Sequence, residues 1–154
     1  MYRQPEIVQV TAQKTAIVSI ICPRSDIQKV MGPGVQEVYS ALQAQGIAPV
    51  GPWFSHHLRI SPDVFEFDIS VPVADVIRPV GRVKPSELPA AKVARTIYQG
   101  PYEGLGQAWG EFKAWVHANG YQPAPNLWEV YLTGPESSSD ARDWKTELNQ
   151  PLLG

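Results

Sequence analysis

One cysteine, Cys22, is present in 154 residues. No internal disulfide can form, which fits a reducing compartment and argues against a small secreted scaffold. No stretch approaches the ~18 uninterrupted apolar residues that a membrane-spanning helix requires. The opening "MYRQPEIVQV" lacks the basic-then-apolar pattern of a secretory signal. Positive charge is not in excess: 13 Lys and Arg stand against 15 Asp and Glu, a net charge of -2, which disfavours direct nucleic-acid binding. Metal-ligand spacing is also missing. His56 and His57 are adjacent and point to opposite faces of a strand, and His117 and Cys22 complete no set. "MGPGVQ" and "GLGQAWG" lack the lysine and spacing of phosphate loops, and no serine sits in a G-x-S-x-G context. A cytoplasmic protein with no metal, no cofactor and no membrane segment is the expectation.

Proline and glycine are abundant instead. Fifteen prolines and twelve glycines punctuate the chain in "MGPG", "VGP", "QGP", "QPAP" and "TGP". They predict many short elements joined by tight turns. At 44% hydrophobic and 18% charged residues, the chain can bury one globular core.

The sequence also repeats itself. "QAQGIAPVGPWFSHHL" (43–58) matches "HANGYQPAPNLWEVYL" (117–132) at an offset of 74, with Gly46 on Gly120 and Pro49 on Pro123. "FDISVPV" (67–73) matches "TELNQPL" (146–152) at 79, and "AIVSIICP" (16–23) matches "ARTIYQGP" (94–101) at 78. The repeated unit reads strand, helix, strand, strand. Residues 15–21 predict a strand. Ser25 with Gln28 resembles a capping box, Gly32-Pro33-Gly34 interrupts, and the main helix is expected from about Pro33 to Gln45. Val35, Val38, Tyr39 and Leu42 form its core stripe. In the second half the stripe is Leu105, Ala108, Trp109, Phe112 and Val116, with Gly120 as the stop.

The expectation is therefore one α+β domain over residues 1–154. It comprises a duplicated strand-helix-strand-strand unit, half one at about 6–73 and half two at about 90–152, with pseudo-twofold symmetry around a central cleft. Residues 72–89 form a Pro-rich connection.

Strand alternation then nominates the cleft residues. Trp128, Val130 and Leu132 share an apolar face expected to pack under the helix. Leu127, Glu129, Tyr131 and Thr133 share the other, a mixed face suited to binding. The 74-residue offset adds Trp53, Ser55 and His57. Glu147, matched to Asp68, is a further acid near the groove. A histidine at 57 would make binding pH-sensitive near neutrality. Glu129 is the sharpest feature, because a carboxylate among apolar neighbours needs a partner, solvent or a proton.

"YQGPYEGLGQAWGEFKAWVHANGYQPAPNLWEVYLTGP…DWKTELNQPL" resembles the GyrI-like small-molecule-binding domain, the effector-binding domain also attached to AraC-type and MerR-type regulators. Gly100-Pro101-Tyr102, Gly120 and Pro123, Glu129 and Tyr131, Trp144 to Leu148 and Pro151 carry the resemblance. The first half resembles the family through its helix, "QGIAPVGP" and "FEFDISVPV". The resemblance implies a cleft for bulky hydrophobic or cationic compounds with Glu129 as polar anchor. Trp53, Phe54, Tyr98, Leu127 and Tyr131 would form its wall. With no helix-turn-helix ahead of it, a stand-alone binder is expected, for sensing, sequestration or detoxification. The first alternative is a hydrolase of reactive electrophiles such as cyclopropanoid alkylators, with Glu129 as general base and Tyr131 donating to the leaving oxygen. The second is a protein-interaction role, with DNA gyrase or a transcription regulator as partner.

Overall fold

The computed structural model describes residues 4–61, 63–134 and 138–153. The chain divides into two compact units, Thr11–Ala90 and Met1–Val10 with Ala91–Gly154. Both are α+β. The first unit contains β2 (Gln13–Pro23), α1 (Ile27–Ala44), β3 (Phe54–Ile60), β4 (Val64–Pro72) and β5 (Lys84–Leu88). Its strands run antiparallel in the order β3-β4-β2-β5. The second unit contains β1 (Glu6–Val10), β6 (Ala91–Gln99), α2 (Leu105–Ala118), β7 (Leu127–Thr133) and β8 (Lys145–Pro151). Its strands run antiparallel in the order β7-β8-β6-β1.

Strand-helix-strand-strand therefore occurs in each unit, in the same strand order, and the register repeats as well. Ala16 faces Val71 in the first unit and Ala94 faces Gln150 in the second; these are the positions that the sequence offsets pair. Ser55 faces Ile69 as Glu129 faces Leu148. Even the irregularity recurs: the ladder shifts between His57 and Arg59 in one unit and between Tyr131 and Thr133 in the other.

The edge strands depart from the expected half boundaries. β1 precedes the first unit in the chain but pairs with β6, and β5 precedes β6 but pairs with β2. Residues 84–88, read from sequence as connection, form a strand despite Pro85, which sits on an outermost strand where the missing N–H is tolerated.

Helix α1 also differs from expectation. It runs unbroken through Pro33, and Ser25 does not cap it; its N-cap is Asp26, without a side-chain cap bond. The Gln28 side chain lies outside the described residues. A proline here forfeits one helical hydrogen bond. Ile27, Val30 and Met31, on the turns before it, pack against the core, and that burial offsets the loss. The stripe falls as read: Val38 and Leu42 are buried, with Val35 and Tyr39 packed beside them. In α2, Ala108, Phe112 and Val116 are buried, with Leu105, Trp109 and Trp115 at the margin. Gly46 and Gly120 follow the helices with positive φ of 68° and 80°. Among the described residues no helix is long and apolar enough to cross a membrane.

Candidate functional site

The cores show which sheet face each helix covers. Under α2 lie Ala94, Tyr98 and Leu148. Leu148 sits opposite Glu129, so Glu129 shares the helix-covered face. The expected assignment is thus inverted. Leu127, Glu129 and Tyr131 belong to the α2 side, and Trp128, Val130 and Leu132 to the other. Trp128 is buried all the same, while Leu132 is 37% exposed. Pattern alone chose the all-apolar set for the helix side. What it missed is Trp109, an α2 residue whose indole N–H gives the carboxylate a partner there.

Glu129 is 9% exposed. Trp109 Nε1 donates to its Oε2 at 2.6 Å and Tyr131 Oη donates to its Oε1 at 2.7 Å. Both donors are neutral. Among the described residues no lysine, arginine or histidine forms an ion pair with it. Burial pushes its carboxyl above the usual carboxylate range, against the opposing pull of the Tyr131 and Trp109 hydrogen bonds. Half-buried aromatics extend the surface. The Tyr102 ring meets Tyr131 edge-on at 6.0 Å between centroids and lies 4.8 Å from the Trp144 ring. The result is a desolvated acid bonded to Trp109 and Tyr131, with Tyr102 against Tyr131 and Trp144 against Tyr102, all within the second unit. Trp109 was read from sequence only as helix packing, and Tyr102 and Trp144 only as motif residues. The tertiary fold brings residues 102, 109, 129, 131 and 144 together.

Tyr98, expected as a wall residue, also supports a turn. It is 6% exposed, and its hydroxyl donates to the Pro101 carbonyl at 2.7 Å. A Cβ on Gly104 would collide with that hydroxyl, so glycine there lets the 3-10 turn Tyr102–Gly104 wrap Tyr98. Tyr98 thereby holds the turn that carries Tyr102. Leu127 is buried, one row from Glu129 on the same face.

In the first unit, Trp53, Ser55 and His57 share the α1-covered face, whereas Phe54 points to the opposite one and is buried there. Phe54 therefore does not join a wall with Trp53. Ser55 Oγ and His57 Nε2 lie 3.1 Å apart, and the His57 ring stacks on Phe67 at 5.2 Å. Burial, with smaller contributions from His56 and Arg24, lowers His57 to about 4. His57 stays neutral through physiological pH, so the expected sensitivity near neutrality does not arise from it. Glu147 lies on the face away from Glu129 and is engaged by Arg95 at 3.4 Å and by Asn149. Asp68 likewise accepts from Ser19 at 2.6 Å, on the face of β4 away from α1. Among the described residues no cluster of His, Cys, Asp and Glu is placed to hold a metal.

A family model described as the GyrI-like small molecule binding domain matches residues 3–152. The chain belongs to that family. No curated protein matches its sequence. Among solved structures, the EcmrR C-terminal domain is similar at TM-score 0.86 and 23% identity, over 97% of each chain. EcmrR in its DNA complex is similar at TM-score 0.85 and 24% identity, and there this chain spans 57% of EcmrR's length. SAV2435 bound to tetraphenylphosphonium is similar at TM-score 0.68 and 14% identity, over 99% of this chain and 95% of that one. A hydrolase from Listeria innocua is similar at TM-score 0.69 and 16% identity, over 98% of this chain and 92% of that one. These likenesses establish the GyrI-like fold.

Proposed function

We propose that this GyrI-like domain binds lipophilic cations at Glu129, as a sensing or sequestering module. One observation carries the reading: a buried carboxylate with no cationic partner among the described residues, held only by neutral donors and bordered by aromatic rings. Such a group gains most from a cation that is itself poorly hydrated, because little solvation is lost when the two meet. Each well-placed aromatic face adds about 0.5–2 kcal/mol of cation–π attraction. The Trp109 and Tyr131 donors occupy one site on each carboxylate oxygen, which favours a ligand that brings charge and apolar surface. The tetraphenylphosphonium seen on SAV2435 has that chemistry.

The test is calorimetric titration of tetraphenylphosphonium into the wild type and Glu129→Gln. Saturable binding is expected, weakened at least tenfold by the substitution. The affinity should also depend on pH. Because burial raises the Glu129 pKa, the carboxylate is part-protonated between the ordinary carboxylate range and its raised value. A cation selects the ionised form, so binding strengthens as pH rises through that window and releases protons, while Glu129→Gln is flat. Equal binding by the two proteins at all pH values would remove Glu129 from the site. Mass spectrometry of the same mixtures, repeated with an electrophilic cyclopropane substrate, addresses the hydrolase alternative: product that vanishes with Glu129→Gln would make the residue a general base.

A further inference from the structure

Among the described residues, two buried side-chain polar atoms lack a hydrogen-bond partner: His57 Nδ1 and Thr146 Oγ1. Both fall in the same row of their respective sheets. His57 faces Phe67 across β3 and β4, and Thr146 faces Tyr131 across β7 and β8, in each case next to the ladder shift. Bulges of this kind recur beside binding and catalytic residues. Thr146 is 0% exposed and stands between Tyr131 and Tyr98. Neither tyrosine hydroxyl is directed to it: Tyr98 donates to Pro101 and Tyr131 to Glu129. An unpaired hydroxyl that is wholly buried carries an uncompensated desolvation cost. Valine has the same shape without that cost, and the corresponding position in the first unit is the apolar Phe67.

We propose that the Thr146 hydroxyl is a second, neutral anchor of the Glu129 site, receiving an amide, ester or hydroxyl group carried by the bound lipophilic cation. This rests on the cation-binding reading above. Thr146 and Glu129 are diagonal neighbours on adjacent strands, and such pairs stand ~7–8 Å apart. The two strand positions are thus about one para-substituted ring apart. The ligand class is thus an aromatic cation whose charge and hydrogen-bonding group lie on opposite ends of a ring. A cation with no such group uses Glu129 alone.

The experiment titrates tetraphenylphosphonium and (4-carbamoylphenyl)triphenylphosphonium into the wild type, Thr146→Val and Thr146→Ser, and records each unliganded melting temperature. Thr146→Val is expected to raise Tm by about 3 °C, the shift that relieving roughly 1 kcal/mol gives at this size. It should weaken the carbamoyl compound about tenfold and leave tetraphenylphosphonium unchanged. Thr146→Ser, which keeps the hydroxyl, should keep the carbamoyl affinity within about threefold. A lower Tm for Thr146→Val would mean that the hydroxyl is already paired and would overturn the proposal. So would equal losses, or no loss, for the two cations. A wild type that binds neither cation would overturn the Glu129 reading together with this one, whereas binding of both without the valine split would overturn this one alone.

Discussion

Ser55, Ile69 and Val18 form one row beneath α1; Glu129, Leu148 and Thr96 form the corresponding row beneath α2. In the next row His57, Phe67 and Ile20 answer to Tyr131, Thr146 and Tyr98. Register and bulge are shared, but the filling is not. The first unit fills its covered face mainly with an apolar core running from Ala16 through Phe67, Ile69 and Val71 to Val83, with Ser55 and His57 buried beside it. The second buries fewer apolar residues there and places an acid, two threonines and two tyrosines among them. Backbone pairing specifies where side chains stand, not what they are, so the same frame carries a more apolar filling in one unit and a more polar one in the other. On the proposed reading, the polar groups of the second unit that cost stability are the ones that meet a ligand.

The strongest way to break this comparison is to cut the same row in each unit. Phe67→Ala should cost about 3–5 kcal/mol, as a large cavity in a wholly buried core does, whereas Thr146→Ala should cost less than about 1 kcal/mol. Urea denaturation of both variants would measure it, and equal losses would mean that the two faces bear the same structural burden.

Acid titration separates the units next. Folded His57 titrates at about 4, below the 6.5 of an ordinary histidine. The unfolded chain takes up its proton first, so stability present above about pH 6.5 is lost as the pH falls towards 4. The loss amounts to about 3 kcal/mol at most. His57→Leu should remove that share of the acid dependence. Glu129, one row away in the other unit, has the opposite sign, since its raised pKa makes the fold lose stability as pH rises through the window. Glu129→Gln should therefore stabilise most at high pH, as a pH series of melting curves would show.

A subtler contrast sits on the helices. Gly34 and Ala108 are equivalent at the offset of 74, yet a Cβ on Gly34 would run into the end of Ile69. Gly34→Ala should cost about 1–3 kcal/mol by overpacking although alanine is native in the other unit. Truncating the obstacle with Ile69→Val should recover part of that loss in the double variant, measured by the same unfolding series.

Much of the frame was legible from residues. The offsets of 74, 78 and 79 identified pairs that occupy matching register positions, because a sheet ladder couples side-chain period to backbone pairing and an insertion is tolerated only in the turns between. Both helix stripes followed from periodicity. Residues 84–88 were not legible, since "KPSEL" carries a proline and little apolar pattern, and only an outermost position makes it a strand. Pro33 misled for a similar reason: local propensity broke the helix and tertiary burial restored it.

By itself the sequence determined that the chain folds as an α+β protein with a repeated unit, and that Glu129 would sit on a strand among apolar neighbours. Composition, periodicity and spacing are local quantities and suffice for that. Which face of β7 lies under α2, that Trp109 and Tyr131 would take the two oxygens of Glu129, and that the Thr146 hydroxyl would be left over were decided only by the tertiary structure. Those facts depend on which side chains, 2 to 20 residues apart along the chain, arrive within hydrogen-bonding distance once the helix has docked.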